Sequence, residues 1–343
     1  SAQAVCEAEG IDVVIEVTGT IEFGAQVVLW SIAAGKHVVL MNAELDATLG
    51  PILKVYADRA GVLLSTADGD QPGVIMNLYR WVQSINMTPV LAGNMKGLQD
   101  PYRTPETQKE FALRHKQKPA MVTSFADGTK ISMEMAVVAN ATGFRAGQRG
   151  MYGPRCNHVN EAPGLFPIDQ MLNVGLVDYG AEPAAGVFVI GHCENPIQKQ
   201  YLNYYKMGDG PLYVFYTPYH LCHFETPLTA ARVVIFEDVA AAPIGAPVCD
   251  VITMAKKDLK SGEIIDGIGG FTCYGTLENR DVSATEVLLP MGLAEGCRII
   301  KDIQKDQALT FADVMLPTER LCDRLWAEQV DFFVSAERAV PKK

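Results

Sequence analysis

Ile11-Asp-Val-Val-Ile-Glu-Val17, stopped by Thr18-Gly19-Thr20, decides the fold. A short β-branched run that is apolar at nearly every position is buried on both faces, the habit of a strand in a parallel sheet. In the segment that follows, Ala25, Val28, Leu29, Ile32 and Ala33 fall at helical spacing, and Gly35 stands where a left-handed residue closes a helix. His37-Val-Val-Leu-Met41 is strand again. Pro51 opens a second helix (Leu53, Val55, Tyr56, Ala60) closed by Gly61, and Val62-Leu-Leu-Ser65 is a third strand. The β-α-β-α-β series predicts an α/β fold on a doubly wound, Rossmann-type parallel sheet. The sheet reads as partial, because no G-x-G-x-x-G turn of the kind that holds a dinucleotide pyrophosphate precedes Ile11. On that ground the sequence reads as a fragment of a longer one.

The composition narrows the function classes. The chain has 343 residues, 48% of them hydrophobic, with 29 Lys+Arg against 40 Asp+Glu and a net charge of −11. An acidic surface without a basic, aromatic-laced stripe argues against nucleic acid as a partner. No run reaches the roughly 18 apolar residues of a membrane span, and the N-terminus lacks a basic and then apolar leader, so the expectation is a cytoplasmic protein without a membrane partner. Eight cysteines without a CxxC pair read as reduced thiols. His220, Cys222 and His223 come nearest to a metal cluster, but no second ligand pair stands at matching spacing.

Beyond Asp70, Gln71 to Asn86 is an amphipathic helix with Val74, Ile75, Leu78, Trp81, Val82 and Ile85 on one face. Met87 to Ala92 is a strand running into the loop Gly93–Gly97, and a polar helix extends from Thr104 to about Lys116. Ala120–Phe125 and Lys130–Met135 flank Ala126-Asp127-Gly128-Thr129, the local signature of a β-hairpin. Strands follow around Gly186–Gly191 and Leu212–Tyr216, and Ala240–Pro247 reads as a linker. A β-rich stretch precedes an amphipathic helix from Thr318 to Ala327. The expected division is residues 1–86 as the later part of the nucleotide-binding domain, 87–245 as an α+β catalytic domain, 246–317 as a small β-rich module, and 318–343 as a C-terminal helix and tail.

Asp12-Val-Val-Ile-Glu-Val-Thr-Gly19, Gly35-Lys-His-Val-Val and Met41-Asn-Ala-Glu44 resemble the later half of a homoserine-dehydrogenase-like domain. With Gly69-Asp70-Gln-Pro, Asn140-Ala-Thr-Gly, Gly153-Pro-Arg155, Pro218-Tyr-His-Leu, Pro227-Leu-Thr-Ala-Ala-Arg and Ala255-Lys-Lys-Asp-Leu-Lys-Ser-Gly-Glu, the chain resembles 1-deoxy-D-xylulose 5-phosphate reductoisomerase-like oxidoreductases over residues 11–317. The resemblance implies a terminal SAF domain and reduction of a small phosphorylated sugar with NADP(H), NAD(H) not being excluded, in isoprenoid-precursor chemistry assisted by Mg²⁺ or Mn²⁺. By analogy it implies a homo-oligomer. Alternatives are a dehydrogenase of another polyol or branched sugar phosphate, and a non-catalytic carbohydrate-binding protein. One departure stands out: homoserine dehydrogenases carry Asn-Lys where this chain has Asn42-Ala43-Glu44.

Such chemistry needs a cation for phosphate, a donor to polarise a carbonyl and a group to move a proton. Lys96, in a glycine-flanked loop, is a candidate for the first two tasks, or else a solvated charge. Arg155 in Gly-Pro-Arg suits bidentate phosphate binding, or else an interdomain ion pair. Asn140 and Thr142, at the end of the hairpin's second strand, offer neutral donors or a helix cap. His220 with Glu225 a few residues on would form an acid and its orienting carboxylate, or else a core histidine. Asp70 and Glu134 are the carboxylates for a divalent metal. On the cofactor side stand Thr18 and Gly19 at the end of one strand, and Asn42 and Glu44 at the end of the next, against a plain turn.

Overall fold

A computed structural model describes residues 1–97, 99–182 and 185–339, with side chains described as far as residue 335. The first part forms as the periodicity predicts. After α1 (Ala2–Cys6) come β1 (Val13–Glu16), α2 (Ile21–Ala33), β2 (His37–Leu40), α3 (Ala43–Ala60) and β3 (Leu64–Thr66). The strands lie in the order β1-β2-β3 and are parallel throughout, Val14 beside Val38 and Val38 beside Leu64. Val38, Val39 and Leu40 are buried, as a strand covered on both faces requires.

The second helix begins eight residues before Pro51, at Ala43, because Asn42 caps it by accepting a hydrogen bond from the Leu45 amide. Pro51 therefore sits inside α3, where its ring removes a link in the helical ladder. The buried side chain of Gln329 spans the gap, accepting from the Ile52 amide at 3.0 Å and donating to the Thr48 carbonyl at 3.2 Å. A residue 277 positions away thus repairs a helix that the local sequence would break.

α4 (Gln71–Ser84) leaves the carboxyl edge of this sheet and leads to β4 (Thr88–Lys96). Then come α5 (Pro105–Arg114), α6 (Pro119–Ala126), α7 (Thr129–Thr142), α8 (Ile168–Val174), β5 (Leu176–Ala181), β6 (Val187–His192), α9 (Pro196–Tyr204), β7 (Leu212–Thr217) and α10 (Cys222–Phe236). The second sheet has the order β5-β4-β6-β7, with β4 parallel to β5 and antiparallel to β6. On one side Leu91, Leu176, Phe188 and Ile190 pack with Val159, Phe166 and Met171.

The expected hairpin at 120–135 is a helix pair instead. Asp127 accepts from the Thr129 amide and Gly128 takes φ +90°, so Ala-Asp-Gly-Thr turns the chain between α6 and α7. Ile131, Met133 and Met135 alternate with Ser132 and Glu134, yet every residue from Ile131 to Ala141 is buried. A helix buried on all sides shows no amphipathic period, so two-residue alternation was a coincidence of composition. Nor is 240–247 a loose linker: Ala240 and Ala241 are buried, and the Thr66 amide donates to the Ala241 carbonyl at 2.8 Å.

The C-terminal part is β-rich as expected, with β8 (Cys249–Ala255), β9 (Cys273–Asn279), α11 (Arg280–Thr285), β10 (Arg298–Ile299), β11 (Val314–Met315) and then α12 (Leu321–Ala339). α12 is longer than the Thr318–Ala327 helix that the apolar spacing marks. β8 and β9 pair antiparallel, and β9 lies against the start of α7, where the Gly275 amide donates to Thr129 Oγ1 at 2.8 Å. All eight cysteines are free thiols. Among the described residues no helix is long and apolar enough to cross a membrane.

Candidate functional site

The ends of β2, β3 and β4 converge with α7 and the start of α10 on a network of ionised and polar side chains. Glu134, from the middle of α7, is 1% exposed. One of its oxygens meets Lys96 Nζ at 3.1 Å and accepts from Asn94 Nδ2 at 3.1 Å. Asn94 and Lys96 are two apart on β4 and so share a face. Lys96 is therefore the last residue of a strand, not a loop residue. One helical turn before Glu134, Lys130 meets Glu44 at 3.3 Å across the gap between α7 and α3. The Asn42-Ala43-Glu44 turn lacks a lysine, and α7 brings an ammonium to it from elsewhere in the chain.

Gln71 ties the remaining groups together. With its amide oriented so that both ends are satisfied, it donates to Asp70 at 2.7 Å and to the second Glu134 oxygen at 3.1 Å, and accepts from His220 Nε2 at 3.2 Å. His220 Nδ1 lies 3.1 Å from the Gly69 carbonyl, which also accepts from Cys222 Sγ at 3.0 Å. Gly69 has φ +84°, and a Cβ there would stand 2.8 Å from the Cys222 Cα, so only glycine lets the 69–70 turn approach α10 this closely.

The electrostatics separate the roles. Burial pushes the Glu134 carboxyl up and Asp70 adds to this, while Lys96 and Lys130 pull it down without cancelling the rise. Burial alone would lower Lys130, but Glu44, Asp70 and Glu134 outweigh it and raise it, so Lys130 is a fixed cation. Glu134 is the group poised to exchange a proton. Burial, then Asp70, pushes the Cys222 thiol up to about 11, which keeps it protonated and a poor nucleophile.

Of the residues singled out from the sequence, Lys96, Glu134, Asp70, His220 and Glu44 come together here. Others do not. Asn140 lies inside α7, not at a strand end, and its Oδ1 accepts from the Val248 and Cys249 amides, fastening the C-terminal part. Thr142 donates to the Val138 carbonyl and accepts from the Phe144 amide, closing α7. Glu225 accepts from the Leu221 amide at the start of α10, so it caps a helix and does not orient His220. Asn42, 1% exposed, is occupied by the Leu45 amide and the Thr20 carbonyl and holds the Thr18–Thr20 turn in place. Asp70 and Glu134 are bridged by the Gln71 amide, and among the described residues no group of three or more His, Cys, Asp or Glu is arranged to hold a metal.

Arg155 stands apart, exposed and without a partner among the described residues. It is fixed from below. Asp178, fully buried in β5, accepts from the Tyr152, Gly153 and Tyr179 amides at 2.8–2.9 Å. Gly153 takes φ +52° with the Tyr179 ring in the space of a Cβ. Arg155 then bridges Ala181, the residue paired with Lys96. Two steps of about 4.8 Å place Arg155 about 10 Å from Lys96 at the same end of the sheet.

Thr18 and Gly19 are exposed at the end of β1. Beneath them Glu16, 1% exposed, accepts from the Thr18 amide through one oxygen, while its other oxygen has no partner. Thr20 starts α2 without a side-chain cap, leaving first-turn amides free for an anion. These features fit one edge of a nicotinamide nucleotide.

Lys130, Gln71 and Asn94 are the members of the network that sequence reasoning missed. The Lys130–Glu134 spacing of four was the available signal, but it speaks only once the segment is known to be helical.

Residues 69–226 match the family model described as "Oxidoreductase DRL, catalytic domain". No curated protein matches the chain. Among solved structures, a probable dehydrogenase from Thermotoga maritima is 13% identical with a TM-score of 0.38, over 71% of this chain and 75% of that one. Biliverdin reductase from Synechocystis, in complex with biliverdin and NADP⁺, is 17% identical with a TM-score of 0.29, over 63% of each chain. A DOX-P reductoisomerase with fosmidomycin and magnesium is 14% identical with a TM-score of 0.31, and the match spans 39% of this chain and only 35% of that one. At such scores these likenesses carry no argument of their own. On the family match, residues 69–226 form an oxidoreductase catalytic domain.

Proposed function

We propose that the chain is an NAD(P)H-dependent oxidoreductase that reduces the carbonyl of a small phosphorylated sugar, in its most concrete form by 1-deoxy-D-xylulose 5-phosphate reductoisomerase-like chemistry. The observation that carries this reading is the Glu44–Lys130 and Lys96–Glu134 pairs meeting at the carboxyl edge of the parallel sheet, where open α/β sheets bind their ligands. A reduced nicotinamide, when bound, would supply the hydride. Thr18, Gly19 and the first turn of α2 would hold the nucleotide, with Glu16 beneath them. Lys96 polarises the carbonyl oxygen and gives the forming alkoxide its proton; Glu134 restores that proton. Lys130 stays charged and holds Glu44 in place. Arg155 takes the phosphate, for which its fork of donors is suited.

The test is NADPH oxidation by the full-length protein with 1-deoxy-D-xylulose 5-phosphate and a panel of polyol and branched sugar phosphates, with and without Mg²⁺ or Mn²⁺. Turnover with a phosphorylated sugar that is lost in Arg155→Ala supports the reading. Turnover only with unphosphorylated substrates contradicts it. Turnover with a different sugar phosphate selects the broader dehydrogenase form.

A further inference from the structure

A cavity of about 150 Å³ lies on the flank of α7, and one of its walls comes from outside the matched catalytic domain. Asp100 closes one side, Ile131 and Ser132 of α7 form the back, and Tyr179 joins it from β5. Tyr274 and Thr276 of β9 supply the remaining wall. Tyr179 is in register with Asn94, whose amide holds Glu134, so the cavity and the proton-exchanging carboxyl are one strand apart. The cavity also borders Met151, where the turn that carries Arg155 begins.

The β9 wall is held hard against the domain. The Gly275 amide donates to Thr129 Oγ1, and Ser132 Oγ reaches the Gly275 carbonyl at 3.4 Å. A Cβ on Gly275 would come within 2.8 Å of Val251 and 2.9 Å of Thr129, so glycine is what allows the strand to close in. The Gly150 amide donates to the Leu277 carbonyl at 2.8 Å, fastening the Arg155 turn to the same strand. The lining is rich in hydroxyls, and those of Tyr179 and Thr276 have no partner among the described residues. Each can both donate and accept, which is what a run of C–OH groups satisfies, while the Asp100 carboxylate is held by the Tyr102 amide and Arg103. At about 30 Å³ per water the space equals about five waters, the size of a short polyol.

We infer that this cavity takes the hydroxylated carbon chain of the substrate, and that Tyr274 and Thr276 of the C-terminal β module set how long a chain is accepted. This rests on the sugar reading given above, but it is tested with a neutral probe that needs neither phosphate nor cofactor. Erythritol binding is followed by ligand-observed NMR on the full chain, and inorganic phosphate binding is measured separately. The wild type is expected to bind erythritol with a Kd of roughly 1–50 mM, in keeping with an eight-heavy-atom ligand. Thr276→Phe, which fills the space, should weaken erythritol about tenfold or more and leave phosphate unchanged. If Thr276→Phe does not fold, the isosteric Thr276→Val carries the test with a severalfold loss. No erythritol binding by the wild type, or unchanged binding in the variants, overturns the inference. Erythritol binding without any Arg155-dependent phosphate binding instead overturns the phosphorylated-sugar reading and leaves the cavity standing.

Discussion

Lys256 is the place where a single substitution tests how the C-terminal module is held. Its ammonium, on a residue 4% exposed, donates to the Arg103 carbonyl at 2.7 Å, the Gly270 carbonyl at 2.8 Å and Asp127 Oδ2 at 2.9 Å. One side chain thus joins the segment after β4, the α6–α7 turn and the module. Lys256→Met keeps the stem and removes the charge, leaving two buried carbonyls short of a donor and a buried carboxylate with only the Thr129 amide. Breaking one side of such a pair costs about 3–5 kcal/mol. Burial already pushes the Asp127 carboxyl up, so it takes a proton in the variant and limits the loss. At about 2.1 cal/mol/K per residue over 343 residues, about 1.4 °C per kcal/mol, a fall in Tm of roughly 4–7 °C follows. The loss should be smaller near about pH 5 than near about pH 8, because the lone carboxyl is more easily protonated there. Adding Asp127→Asn should recover the charge part and leave the unpaired carbonyls, restoring about half. Differential scanning calorimetry of the wild type and the two variants decides it. A Tm within about 2 °C of wild type for Lys256→Met refutes the claim that this ammonium clamps the module.

Burial, opposed by the Thr66 hydroxyl, pushes Asp46 up from 3.8 to about 6. A carboxyl raised in the folded state contributes stability below about pH 3.8 and loses it as pH rises through about 6, here about 3 kcal/mol. Asp46→Asn should flatten that window in urea midpoints measured against pH, and an unchanged slope would count against the shift. Asp178→Asn removes acceptors from the turn that presents Arg155, so KM for a phosphorylated substrate should rise about tenfold with kcat little changed; a further loss of the same size in an Arg155→Ala background would show that Asp178 acts elsewhere. Gly69→Ala should cost about 3 kcal/mol or more, because φ is +84° and the added carbon meets the Cys222 backbone at 2.8 Å; a Tm close to wild type would show that the turn has room to move.

The parallel sheet was legible because its strands carry β-branched runs and its helices a clear 3.6-residue period. The same logic failed at 120–135, where a helix buried on every side leaves no polar face to reveal its period and Asp-Gly mimics a hairpin turn. That one misreading hid the site's centre. On a strand Lys130 and Glu134 would share a face but stand about 13 Å apart; on α7 they are one turn apart and face the same edge. Lys96 was legible from its place after a strand, and His220 from its segment, though its partner is Gln71 and not Glu225. Asn140, read as a neutral donor, instead accepts from the distant Val248 and Cys249 amides, and Asn42, read as a cofactor-side residue at a strand end, is held by the Leu45 amide and the Thr20 carbonyl. Contacts such as Asn140 with Val248, or Gln329 with the break at Pro51, depend on tertiary packing that no local pattern encodes.

The central claim is that Lys96, backed by Glu134, polarises and protonates the reacting carbonyl. The most direct measurement is the pH profile of kcat for NADPH-dependent reduction of the best sugar phosphate in wild type, Lys96→Met and Glu134→Gln. The account predicts a loss of about 10²–10⁴-fold for Lys96→Met with NADPH affinity retained, and for Glu134→Gln the disappearance of the limb that this carboxyl sets. A Lys96→Met enzyme that turns over within about threefold of wild type would contradict it.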